Sequence, residues 1–240
     1  MLYERAKHAF LQRDLLVANE LLTQAFSQLG PSSGGQSTDV DVDADALDSQ
    51  RRKWDILRIT LHTTLYTSQA SDQRINLPSS SPGLRFNPAS LPPYQFLQGL
   101  HSQSLKLFNA ASAMPSIGKV PDQVVLLLVV SAVKLGEVHL AKEWVEDWLV
   151  RRDASSTSSS PSIMDGSLTP TSYERIVDVY ILHVLPRLGL WDDATEFMRY
   201  ESEMNEDTKE VSFHRCVMSL RSLNAAHDAS FECPTIAILQ

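Results

Sequence analysis

Seven histidines are the side chains in this sequence best suited to bind a metal ion or to transfer a proton. No two of them lie three or four residues apart, so no pair can share one helix face as metal ligands. His183 lies in an apolar helical stripe beside Pro186, and we predict a hydrogen-bonded core histidine there rather than a ligand. The other six are His8, His62, His101, His139, His214 and His227.

The sequence motifs of common enzymes are absent. There is no GxSxG nucleophile motif, no HExxH zinc motif and no glycine-rich phosphate loop. His214 and Cys216 are two residues apart in a predicted helix, where their side chains diverge by about 200°. The sequence therefore predicts a non-enzymatic protein without a metal or cofactor. An enzyme whose polar groups converge only in the folded chain is the alternative.

Carboxylates outnumber cationic side chains. The chain has 29 Asp and Glu against 21 Lys and Arg, a net charge of −8, which argues against nucleic-acid binding. Asp39, Asp41, Asp43 and Asp45 alternate with small residues, but the glycine and glutamate that a calcium-binding EF-hand loop requires are missing, so a solvated loop is predicted. A second acidic group is predicted to be a solvated face, with a docking strip for a basic partner as the alternative. It comprises Glu201, Glu203, Glu206, Asp207 and Glu210.

The elements that position these side chains are predicted to be helices. Apolar residues recur at spacings of three and four, and only nine glycines are present. Residues 2–29 form a predicted helical hairpin in which Asp14 caps the second helix. We predict further helical blocks at about 49–68, 94–113, 121–152, 172–204 and 211–226. The block at 121–152 is divided into two helices at Gly136, and Pro186 is predicted to bend or end the first helix of the block at 172–204. The fold class is all-α, in a single helical domain over 1–226 with mobile loops at about 30–48, 77–93 and 153–170, followed by a tail at 227–240.

Three predicted hairpins share a turn pattern. A leucine precedes each turn, a glycine follows it in two cases (Gly136 and Gly189), and an alanine lies near the start of the second helix: Ala18, Ala141 and Ala194. A small residue lets two helices approach closely, and glycine reverses the chain. The pattern resembles the tetratricopeptide (TPR) unit and predicts an irregular TPR-like helical hairpin array or α-solenoid bundle. An unrelated helical bundle is the alternative.

Residues 121–198 carry a resemblance to a known family. The apolar helix 124–130 is followed by Lys-Leu-Gly-Glu-Val at 134–138 and by Ala-Lys-Glu-Trp-Val-Glu-Asp-Trp-Leu at 141–149. After a variable segment comes Val-Leu-Pro-Arg-Leu-Gly at 184–189, then Ala194 and Glu196. Residues 14–26 are similar to the first conserved helix of the same family. Together these segments resemble the tail-anchored peroxin-twenty-six family.

The resemblance implies a non-enzymatic adaptor on the cytosolic face of the peroxisomal membrane. Members of that family recruit the peroxisomal AAA-ATPase complex, which recycles matrix-protein import receptors, by binding the N-terminal domain of one ATPase subunit. The implied partner-binding residues lie on the outer face of the first hairpin: Tyr3, His8, Leu11 and Leu15. The alternative is a generic TPR-like protein- or peptide-binding scaffold outside the peroxisome.

Membrane attachment in that family depends on a C-terminal transmembrane anchor. The longest apolar run here, Val124 to Val133, has about half the 20 residues that a bilayer span needs. We therefore expect this chain to contact a membrane only through an anchor that it lacks. Without one, the chain is expected to be a soluble, cytosolic monomer.

Overall fold

The computed structural model describes residues 2–28, 41–71, 91–109, 116–152 and 171–231. Within these ranges every regular element is helical and no strand occurs, so the predicted all-α class is confirmed. The chain divides into two compact units, Met1–Ser167 and Leu168–Gln240. The single domain over 1–226 stays a prediction, because one domain can contain more than one packed unit.

The first unit contains six α-helices within its described residues. They are α1 (Leu2–Leu11), α2 (Leu15–Gln28), α3 (Asp41–Ser71), α4 (Pro93–Phe108), α5 (Asp122–Lys134) and α6 (Val138–Arg151), with a 3-10 turn at Ile117–Lys119 before α5. The long helix α3 packs against α1, α2, α4 and α5. Its apolar stripe places Trp54, Leu57, Leu61 and Leu65 in the core, as the helical spacing predicted.

A buried ion pair fixes α3 to α4. Asp55 and Arg58 lie 2.6 Å apart with almost no exposure. The Ser104 hydroxyl donates to Asp55 at 2.8 Å, and Arg58 donates to the Ser104 hydroxyl and to the Leu100 carbonyl. Each charge in this pair is hydrogen-bonded on more than one side, which offsets much of the free energy that its removal from water costs.

The second unit contains α7 (Ser172–Val179), α8 (Trp191–Tyr200) and α9 (Glu206–Phe231). Between α7 and α8 the chain forms a π-helical turn at Tyr180–Val184 and a 3-10 turn at Pro186–Leu188. Pro186 cannot donate a backbone hydrogen bond, and it ends the helix as predicted. Thr171 and Glu174 form a capping box at the start of α7.

Three helix–turn–helix units share one turn geometry: α1–α2, α5–α6 and the π turn with α8. In each, the residue at the centre of the turn is left-handed: Arg13 (φ 62°), Gly136 (φ 84°) and Gly189 (φ 74°). Its N–H and the N–H of the next residue donate back to the preceding helix in the two-bond Schellman pattern. The predicted turn glycines at 136 and 189 are therefore confirmed.

The alanine in the second helix of each unit is also in its predicted place. Ala18, Ala141 and Ala194 each follow the left-handed residue by five positions and are 0% exposed. Leu22, Val145 and Met198 follow four residues later and are also buried. The three hairpins thus repeat one packing solution, in which a small side chain allows close approach and a large one fills the space beyond it. The TPR-like or α-solenoid arrangement of these hairpins stays a prediction.

Two predicted boundaries are wrong. Residues 41–48 belong to α3 rather than to a loop, since the helix begins at Asp41. Helix α9 begins at Glu206 and extends to Phe231, so 206–210 and 227–231 are helical rather than linker and tail. The rest of the predicted first loop (30–40), most of the second (77–90) and all of the third (153–170) lie outside the described residues, as does 232–240.

Candidate partner-binding groove

The outer face of the first hairpin forms an open groove of about 550 Å³. Its lining comes from both helices and from the turn between them. The apolar part consists of Ala9, Leu11, Val17 and Leu21, and the polar part of Glu4, Arg5, Lys7, His8, Gln12 and Asp14. The buried alanines of the hairpin let α1 and α2 pack closely: Ala6, Ala9, Ala18 and Ala25.

The structure brings together two of the four residues implied by the family resemblance. His8 and Leu11 are exposed and line the groove. Tyr3 instead packs edge-to-face on Trp54 of α3, with ring centroids 5.2 Å apart. Leu15 packs against the buried cluster that contains Ala9, Ala18 and Leu61. Tyr3 and Leu15 therefore support the hairpin from its inner side, and whether any of the four contacts a partner stays a prediction.

Exposed apolar side chains are concentrated around the turn of this hairpin. Leu11 is 69% exposed, Leu16 48% and Val17 41%. A single exposed leucine is ordinary on a protein surface, but here three exposed apolar side chains lie within seven residues, and two of them, Leu11 and Val17, line the groove. Burial of such side chains against a partner would stabilise a complex through the hydrophobic effect.

Some charged side chains of the groove have partners within the hairpin, and others have none among the described residues. Lys7 pairs with Glu4 at 3.1 Å. The Asp14 carboxylate accepts the backbone N–H of Val17 at 3.2 Å and caps α2, as predicted. Both anions of the lining are thus engaged within the hairpin. Arg5 and Arg13 are exposed, and neither has an ionic partner among the residues that the structure describes.

Arg13 was not identified from the sequence as a site residue. It occupies the left-handed position that glycine occupies in the other two turns. A residue with a Cβ atom costs roughly 1–2 kcal/mol more than glycine in this conformation. The sequence signal was available: the pattern that has glycine at 136 and 189 has arginine at the corresponding position 13.

The acidic group at 201–210 is only partly a solvated face. Glu201 is buried and accepts a hydrogen bond from the Tyr173 hydroxyl at 2.6 Å and others from the backbone N–H groups of Glu203 and Met204. Its main function is therefore to close the turn before α9. Glu203, Glu206, Asp207 and Glu210 are exposed, as predicted.

A histidine other than His183 packs against the core. His183 is exposed, so the core position predicted for it is wrong; Ile181 and Val184 of the same π-helical turn are buried instead. His101 instead stacks on Trp144 with ring centroids 4.7 Å apart. Burial lowers the pKa of His101 to about 4, against a smaller opposite effect of Asp147. Burial, with the nearby charge of Arg58, also lowers the pKa of His62 to about 4.

Neither histidine belongs to a metal centre in the part of the chain that the structure describes. Within those ranges, no three His, Cys, Asp or Glu side chains come close enough together to hold a metal ion. Over the same ranges, no helix has both the length and the hydropathy that a membrane span requires.

The fold and the groove define an all-α protein built on helical hairpins. No family model, curated protein or solved structure matches this chain.

Proposed function

We propose that this chain is a non-enzymatic adaptor that binds the N-terminal domain of a peroxisomal AAA-ATPase subunit through the groove of the first hairpin. In that role it recruits the ATPase complex to the cytosolic face of the peroxisomal membrane for the recycling of import receptors. The partner and the location come from the resemblance of residues 14–26 and 121–198 to the peroxin-twenty-six family. The all-α fold agrees with this resemblance.

One observation on the chain itself carries the proposal. Leu11, 69% exposed, borders a groove on the hairpin whose second helix resembles the family's first conserved helix. Burial of a leucine side chain is worth about 1.5–3 kcal/mol, so Leu11 alone could change a dissociation constant more than tenfold. Few other apolar side chains among the described residues are as exposed, and Val17 adds to the same surface.

Binding of the purified full chain to the ATPase N-terminal domain tests the proposal by isothermal titration calorimetry. We expect a complex at micromolar concentration, and Leu11→Asp should weaken it at least tenfold, with only the small fall in thermal unfolding temperature that a carboxylate at a helix C-terminus causes. Val150→Asp is the matched control: Val150 is 82% exposed and, like Leu11, lies at the end of its helix. Absence of binding by the unsubstituted chain would refute the proposal.

The same titration separates the adaptor from a generic peptide-binding scaffold. A scaffold of that kind would bind unrelated peptides as tightly as the ATPase domain, and its affinity would not depend on Leu11. In cells, the adaptor proposal also requires that the protein co-localise with a peroxisomal membrane marker.

A further inference from the structure

The groove of the first hairpin has an apolar wall and a cationic border. Leu11, Val17 and Leu21 supply the wall. Arg5 lines the groove, and Arg13 lies between the lining residues Gln12 and Asp14. A ligand complementary to this surface needs apolar side chains on one side and carboxylates beside them.

The anionic groups of the groove offset only part of this positive charge, because Arg5, Lys7 and Arg13 outnumber Glu4 and Asp14. Glu4 holds Lys7 at 3.1 Å, and Asp14 caps α2 through the Val17 N–H. Arg5 and Arg13 remain exposed without an ionic partner among the described residues. The groove and its turn thus carry one more cation than anions, and the two cations without an ionic partner are guanidinium groups, which pair with carboxylates through two parallel hydrogen bonds.

The backbone at Arg13 supports the same conclusion independently. Its φ of 62° is one that glycine adopts at the corresponding positions 136 and 189. Strain of this kind persists where the surrounding structure holds it, here through the two Schellman hydrogen bonds, and functional sites are where it concentrates. Arg13 lies in the turn of the hairpin, two residues after the exposed Leu11.

We propose that the occupant of the groove is an acidic amphipathic segment of the partner. Its carboxylates pair with Arg5 and Arg13, and its apolar side chains contact Leu11 and Val17. This inference rests on the proposed function for the location of the groove, and it specifies the chemistry of the partner segment that the groove recognises.

Two synthetic peptides of one apolar pattern test the recognition directly. One carries glutamate at every polar position of an amphipathic helix, and the other carries lysine at the same positions; both are fluorescein-labelled and titrated with the full chain by fluorescence anisotropy. We expect the glutamate peptide to bind at least tenfold more tightly than the lysine peptide, with an affinity that falls as salt rises. Equal affinities, or tighter binding of the lysine peptide, would overturn the inference.

Charge reversal locates the binding site. Arg5→Glu combined with Arg13→Glu should weaken binding of the glutamate peptide about tenfold or more, since two favourable pairs become two repulsions. Lys134→Glu is the control, because Lys134 is exposed at the end of α5, in the position that Leu11 occupies in α1. An equal loss in the control would contradict the assignment to this groove.

Arg13→Gly separates recognition from a structural effect. The glycine variant removes the charge and relieves the backbone strain, so it should unfold at a higher temperature and yet bind the glutamate peptide more weakly. A variant that is more stable and binds unchanged would show that Arg13 takes no part in recognition. The peptide experiment also stands apart from the ATPase titration: selective binding of the acidic peptide without ATPase binding refutes only the proposed adaptor function, and the reverse result refutes only the inference on charge.

Discussion

The hairpins α1–α2 and α5–α6 share their backbone but differ in what surrounds it. Both turns have two Schellman hydrogen bonds and a left-handed central residue, and both place a fully buried alanine five residues later. The central residue is Arg13 in one and Gly136 in the other. The comparison teaches that this geometry does not require glycine, and that the exception falls at the hairpin with the more exposed apolar turn.

The surroundings of the two hairpins differ as well. The α5–α6 hairpin packs against α3, α4 and the 3-10 turn at Ile117–Lys119. The α1–α2 hairpin packs mainly against α3, which leaves its outer face exposed. The α5–α6 hairpin is therefore the more enclosed of the two, whereas the α1–α2 hairpin keeps an exposed outer face. Four changes test this difference.

Overpacking of the helix crossing should have the largest effect. Ala141→Leu inserts three carbon atoms at a fully buried site enclosed by neighbouring helices, and we expect it to lower the free energy of unfolding by about 3 kcal/mol. Ala18→Leu makes the same change in the first hairpin, where α1 can move outward, and should cost about 1–2 kcal/mol less. Urea denaturation followed by circular dichroism measures both. Equal losses would show that the first hairpin is as tightly enclosed as the second.

The second largest effect should come from a fall in pH, which weakens the packing of α4 against the α5–α6 hairpin. His101 stacks on Trp144 of α6 and has a pKa of about 4, below the ordinary 6.5, so the unfolded chain binds more protons as the pH falls. Stability is then lost between about pH 6.5 and pH 4, by about 2 kcal/mol at pH 5 for this one histidine. His101→Phe keeps the ring stacking without the titration.

The difference in unfolding free energy between wild type and His101→Phe should therefore grow in favour of the variant as the pH falls from 7.5 to 5. A difference that is independent of pH would contradict the lowered pKa. His62 titrates over the same range in both proteins, so its contribution cancels in the comparison.

Substitution of the two turn glycines should have a smaller effect on the free energy of unfolding. Gly136→Ala and Gly189→Ala each place a Cβ atom where nothing lies within 4 Å, so no clash occurs and only the left-handed φ is strained. We expect each to cost about 1 kcal/mol in denaturant unfolding. A loss of several kcal/mol would mean that the turn glycines have a packing function as well.

The sequence predicted the parts of the fold that depend on local rules. The turn glycines, the buried alanines, the Asp14 cap and the helix end at Pro186 follow from backbone sterics and periodicity, which a single segment reveals. The buried Asp55–Arg58 pair could not be predicted, because its hydrogen-bond partners come from α4, more than 40 residues away. Glu201 was missed for the same reason, since Tyr173 lies 28 residues before it.

The candidate site was predictable in part. His8 and Leu11 were identified through the family resemblance, and both line the groove. Tyr3 and Leu15 lie on the same two helices but face α3 and the inner alanines. Their orientation depends on which side of the hairpin α3 covers, and that is a tertiary contact rather than a property of the hairpin. Arg13 can be identified as unusual only when the three turn sequences are aligned, because glycine occupies the corresponding positions 136 and 189.

Arg13→Gly should give the smallest effect on stability and the only gain. Glycine adopts a φ of 62° without strain, but it also increases the conformational entropy of the unfolded chain, so the two effects partly offset each other. We expect a net gain of about 0.5–1 kcal/mol by urea denaturation. Arg13→Ala is the control: it removes the same side chain but keeps the Cβ strain, and it should leave stability nearly unchanged. A gain in the alanine variant as large as that in the glycine variant would attribute the cost at this turn to the charge of Arg13 rather than to its backbone, and the first and second hairpins would then differ in electrostatics alone.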